Sequence, residues 1–75
     1  MSVRRSLLAI LDEGACYGSQ LRAEYTRRTG AAVNVGQVYT TLERLERDGL
    51  VEGRGVDDEG HVLWGATDAG RADAR

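Results

Sequence analysis

One stretch, NVGQVYTTLERLERDGLV at residues 34–51, does most to limit what this chain can fold into. Val35, Val38, Leu42 and Leu45 recur at spacings of three and four. At about 100° per residue they form one apolar stripe of an amphipathic helix. Asn34 is a suitable N-cap, since its side-chain oxygen can accept a free backbone N–H of the first turn. Gly49 can take the left-handed conformation that ends a helix. The opposite face carries Gly36, Gln37, Thr40, Arg44 and Arg47, small and hydrogen-bonding groups first and arginines further along. After Gly49 the apolar period changes to two, so the helix is expected to run directly into a strand.

The elements before this helix are marked by glycine. Ser2 caps a predicted first helix in which Leu7, Leu8 and Leu11 share a face, closed at Gly14. Residues 15–18 read as a short connection. Ser19 is then expected to cap a second helix to about Thr29, with Leu21 and Tyr25 buried and Gly30 as its stop. Residues 31–33 form a turn into the third helix. Beyond it, residues 50–54 and 61–66 read as two strands joined by a turn-rich tip, a β-hairpin. Thr67 caps a last helical turn from Asp68 to about residue 74, with Asp68 near the positive end of the helix dipole. The expected fold is α+β, mainly α: a winged helix-turn-helix of three helices, a two-stranded hairpin wing and the start of a fourth helix, in one domain over residues 1–75.

Charge bears on what such a chain can bind. The sequence has 10 basic and 12 acidic residues and a formal net charge of −2. Residues 1–49 hold seven arginines against six acids, and residues 50–75 hold three against six, so the helical half is the more basic. This balance implies modest non-specific affinity for nucleic acid. No apolar run is long enough to span a membrane, and the short LLAIL run near the N-terminus is followed at once by Asp12 and Glu13, unlike a signal peptide. A single cysteine cannot form an internal disulfide, which fits a reducing, cytoplasmic setting.

The residues resemble the N-terminal DNA-binding domain of PadR-type transcriptional regulators. The resemblance is carried by LLAILDEGACYGSQL (7–21), RRTG (27–30), VGQVYTTLERLERDGLVE (35–52) and TDAGR (67–71). The family pattern falls on Tyr17, Gly18 and Leu21, on Gly36, Tyr39, Leu42, Arg44, Leu45, Glu46, Gly49, Leu50 and Val51, and on Trp64, Ala66, Thr67 and Gly70. Three departures accompany it. Ala15–Cys16 stands where the family usually has proline, and the wing tip is Asp57–Asp58–Glu59 where relatives are commonly basic. Family members also continue into a C-terminal helical domain that makes the homodimer and often holds a small-molecule effector, whereas this sequence stops at Arg75, as a fragment or a short member would.

The resemblance implies a sequence-specific binder of double-stranded DNA, a repressor without chemistry of its own, with the third helix in the major groove. Asn34, Gln37 and Thr40 are the expected base readers, since glutamine pairs bidentately with adenine and a threonine methyl meets a thymine methyl. Gly36 lies among them. Arg44 reaches phosphate or guanine, or else pairs with Asp48 at i+4. Tyr39, on the border of the two faces, is expected to donate its hydroxyl to phosphate while its ring packs on the core. Ser19 and Gln20 begin the second helix, whose free N–H groups can hold a phosphate, and Arg22 is either a phosphate contact or simply solvated. Arg54 and His61 flank the wing tip as candidate backbone contacts, opposed by three adjacent acids. Trp64 reads as a core anchor bracing the hairpin. No catalytic constellation, metal site or cofactor is expected: one cysteine and one histidine lack an orienting third group and enough ligands. The competing reading is a winged helix that binds a protein instead of DNA, favoured by the acidic wing.

Overall fold

The computed structural model describes residues 2–74 of the chain. Helix α1 spans Val3–Glu13 and begins at Ser2, whose hydroxyl accepts the Arg5 N–H at 3.2 Å. Helix α2 spans Gly18–Thr29 and ends at Gly30, which takes φ 73° and donates its N–H to Thr26. Helix α3 spans Val35–Arg47. Its end is a Schellman motif: Gly49 adopts φ 76° and donates to Glu46 O, while the Leu50 N–H donates to Leu45 O, both at 2.9 Å. Orphan carbonyls of the last turn are thereby satisfied at the point where the chain turns into the wing.

The sheet has three strands, not the expected two. β1 is Cys16–Tyr17, β2 is Val51–Val56 and β3 is Val62–Ala66, all antiparallel in the order β1-β3-β2. Cys16 pairs with Trp64 and Tyr17 with Leu63, so the segment between α1 and α2 adds a strand to the wing. Two residues are too few to show a periodicity, and their pairing arises only when the hairpin folds back on the helices. β2 also runs two residues further than residues 50–54 suggest. A register shift between Gly53 and Val56 carries it on to pair Val56 with Val62.

The core gathers Leu7, Leu8 and Leu11 of α1, Leu21 of α2, and Val38, Leu42 and Leu45 of α3, each no more than 1% exposed. Val51, Trp64 and Ala66 close it from the sheet side, so Trp64 is the anchor its position suggested. Val35, expected in the apolar stripe, is instead 51% exposed, and Val33 in the preceding turn is buried. The buried stripe therefore begins at Val38, and Val35 borders the open groove beside the start of α2. Helix α4, Asp68–Ala74, packs on α1. Thr67 accepts the Gly70 N–H at 3.0 Å and donates its hydroxyl to Gly49 O at 2.7 Å, so the cap of α4 also touches the end of α3.

Candidate nucleic-acid interface

The buried stripe of α3 leaves Gly36, Gln37, Thr40 and Arg44 exposed on its outer side. Asn34 caps the helix: its Oδ1 accepts the Gln37 N–H at 2.7 Å, and its amide N–H groups remain available to a partner. Gly36 gives the cap room, as a Cβ there would stand 3.3 Å from Asn34 Oδ1. The neighbouring Thr41 donates its hydroxyl to Gln37 O at 2.7 Å, back-bonding along the helix.

Tyr39 bridges α3 and α2. A Cβ on Gly18 would lie 2.7 Å from its hydroxyl oxygen and 2.9 Å from Cζ, so the ring rests directly on the glycine backbone that opens α2. At 39% exposure the ring is half covered, with the hydroxyl beside the first turn of that helix. Here one expectation is corrected. Ser19 does not cap α2: the helix starts at Gly18, two residues earlier than a Ser19 cap would give, with Tyr17 in the cap position. Gln20 turns back so that its Oε1 accepts the Tyr17 N–H at 2.8 Å. The Ser19 hydroxyl is thus freed from capping, next to a helix N-terminus whose dipole favours an anion. An open groove of about 390 Å³ lies between this helix start, α3 and the wing, lined by Tyr17, Ser19, Gln20, Tyr39, Asp57 and His61 among others.

The arginines divide sharply. Arg22 donates its Nε–H to Val33 O at 2.8 Å, tying α2 to the turn before α3. Arg28 donates to both Glu13 and Glu24, and Arg27 is held by Glu24. These bonds, Arg27 first and then Arg28, pull the Glu24 carboxyl down to about 2. Arg54 does not project from the wing tip. Its guanidinium folds back over Gly65 and donates to Ala66 O at 2.6 Å and to Glu52 at 3.2 Å, bracing the base of the hairpin. Of the two alternatives for Arg44, the pair with Asp48 is absent among the described residues, and Asp48 instead meets Arg4 at 3.3 Å and Arg47 at 3.7 Å.

The acidic wing tip is a built turn. Asp57 Oδ1 accepts the His61 and Glu59 N–H groups at 2.8 and 2.9 Å, and Oδ2 lies 3.1 Å from His61 Nδ1. The backbone N–H of His61 is the first cause holding the Asp57 carboxyl below its usual range. All three acids stay exposed, and the sequence sign of the turn is an aspartate four residues before the histidine. Cys16 is partly buried at the back of the sheet strand, which raises its thiol pKa. Among the described residues no group of three or more His, Cys, Asp or Glu is placed to hold a metal, and no helix is long and apolar enough to cross a membrane.

Three helices with an exposed third, closed by a hairpin, define a winged helix-turn-helix. The model of the transcriptional regulator PadR-like family matches residues 7–75, and the chain belongs to that family. It is 40% identical over 73 residues to transcriptional regulator Rv3488 of Mycobacterium tuberculosis, covering 95% of this chain and 67% of that protein. Its fold is similar to that of RosR from H. salinarum, with TM-score 0.89 and 28% identity over 99% of this chain and 66% of that one. It also matches Bacillus subtilis PadR in complex with operator DNA, with TM-score 0.81 over 95% of this chain and 44% of that one, a likeness of fold at 18% identity. The chain thus spans about two thirds of the length of Rv3488 and RosR.

Proposed function

We propose that this chain is the DNA-reading module of a transcriptional repressor that binds double-stranded DNA by sequence. The observation that carries this reading is the joint of α3 and α2: an exposed polar helix face beside a tyrosine hydroxyl seated at the open start of a second helix. In the proposed arrangement α3 enters the major groove with Gln37 and Thr40 at base edges and Gly36 allowing close approach. The Asn34 amide assists. Tyr39, Ser19 and the first-turn N–H groups of α2 hold one phosphate. Gln20 and Arg22 fix that helix start and the turn before α3. His61 is the wing's candidate hydrogen-bonding side chain for the flanking backbone, with Arg54 setting the wing's angle.

Two copies on a palindrome would place the recognition helices in half-sites about 34–36 Å apart. Homodimerisation, and an effector bound through a further helical domain, are inherited from the family resemblance. Work at a promoter sets the protein in the cytoplasm, and occupancy of that promoter would block transcription without catalysis. The test is binding to duplexes covering the promoters near its own gene across a salt series. Affinity should fall steeply with salt. Salt-insensitive or absent binding would instead favour the protein-interaction reading, which draws support from the net charge of −2 and the acidic tip at Asp57–Asp58–Glu59.

A further inference from the structure

We propose that Arg44 is a guanine-reading side chain, so that the operator half-site carries a guanine about two to three base pairs from the base met by Gln37. The inference rests on the DNA reading above and adds a specific half-site composition to it.

Arg4, Arg22, Arg27, Arg28 and Arg54 are each held by a carboxylate or a backbone carbonyl, and Arg47 leans on Asp48. Among the described residues, Arg5, Arg44 and Arg71 have no such partner. Arg5 and Arg71 lie on α1 and α4, which pack on each other, and not on α3. Arg44 is therefore the one uncommitted guanidinium on the exposed face of α3 among the described residues. Its natural i+4 partner, Asp48, is drawn off by Arg4, a residue 44 positions away that no helical pattern links to it.

Direction follows from spacing. Gln37 and Arg44 are seven residues apart, which in an α-helix brings both to nearly the same angle. A groove that presents base edges to Gln37 presents them to Arg44 as well. Thr40 stands between them and is exposed, whereas Thr41 has its hydroxyl turned onto Gln37 O. Seven residues at about 1.5 Å each give about 10.5 Å of helix. Against about 3.4 Å of rise per base pair, and a longer path when the groove is followed obliquely, that length matches two to three steps. The long guanidinium arm suits the later position, where the helix begins to leave the groove, and its fork matches guanine O6 and N7.

The experiment is selection of bound duplexes from a randomised library by the protein, by Arg44→Ala and by Gln37→Ala. Arg44 is exposed and alanine is a strong helix former, so the variant should keep its helical circular dichroism. The wild-type protein should select a guanine at one fixed position, two or three pairs from the position that Gln37→Ala relaxes. Arg44→Ala should lose discrimination at that guanine by about 5- to 150-fold and leave the other positions intact. If Arg44→Ala weakens all duplexes alike and lowers the salt slope by about one, Arg44 contacts phosphate and this inference is overturned while the DNA reading stands. A wild-type selection with no guanine at that spacing overturns it too. If the wild-type protein binds no duplex in a salt-sensitive way, the function proposed above fails with it.

Discussion

Gly18 and Tyr39 act as one unit. The missing Cβ of the glycine is the space the tyrosine ring fills, and the hydroxyl ends beside the start of α2 because of it. The two residues therefore separate packing from binding when changed singly. Tyr39→Phe keeps the ring in its seat and should leave the melting temperature nearly unchanged. If the hydroxyl donates to phosphate, duplex affinity should fall by about tenfold or more, since hydrogen bonds to charged groups contribute about 1.5–3 kcal/mol. Equal affinity in a titration of both proteins would remove the hydroxyl from the phosphate site. Gly18→Ala displaces the hydroxyl instead of removing it: a Cβ 2.7 Å from the hydroxyl oxygen must push the ring end away, a small cost for a side-chain end that is half exposed, so duplex affinity should fall with little change in melting temperature.

At the scale of elements, α1 and α2 are pinned by exposed charge as well as by leucines. Glu24 takes hydrogen bonds from Arg27 and Arg28, and Arg28 reaches on to Glu13 at the end of α1. The Glu24 carboxyl is lowered from 4.5 to about 2. A carboxyl whose ionised form is favoured by folding stabilises the fold above its unfolded pKa and loses that contribution as pH falls toward its folded one. Glu24→Gln should thus lower the melting temperature at neutral pH, and the difference should shrink from about pH 4.5 downward and vanish near pH 2. The cluster is solvent-exposed, so the effect is small and should fade in high salt. Thermal melts of both proteins across that pH range decide it, and a difference independent of pH would assign the loss to packing instead.

For the whole molecule, the junction at Leu50 holds the parts in one body. Leu50 N–H closes the end of α3, and Leu50 O accepts the Thr67 N–H at 3.0 Å at the start of α4. Gly70 lies against that same carbonyl so tightly that a Cβ would stand 1.9 Å from the oxygen. The carbonyl cannot retreat without losing its bond to Thr67. Gly70→Ala should therefore destabilise the chain by about 1–3 kcal/mol or more, seen as a lower melting temperature. An unchanged melting temperature would show that α4 can lift from α3 without consequence for the core. The glycine of TDAGR is thus required by three elements meeting at one point, the end of α3, the start of the wing and α4.

Much of this architecture could be read along the chain. Helix periods, the caps at Ser2, Asn34 and Thr67, the stops at Gly30 and Gly49 and the change to period two after α3 are local, because hydrogen bonding and side-chain direction repeat over a few residues. They were enough for the winged-helix order and for the polar face of α3. What the sequence left open is what depends on contacts between distant residues. Pairing with β3 makes Cys16–Tyr17 a strand, and packing leaves Val35 exposed at the groove beside α2 while the turn before α3 buries Val33. Arginines look alike in a sequence, yet Arg22 and Arg54 brace backbone carbonyls 11 and 12 residues away, and Arg4 takes the aspartate that Arg44 would have used. Local sequence determined which helix presents the polar face. Tertiary packing decided which of its charges is left without a partner, because the fold sets which guanidiniums have a carboxylate or carbonyl within reach.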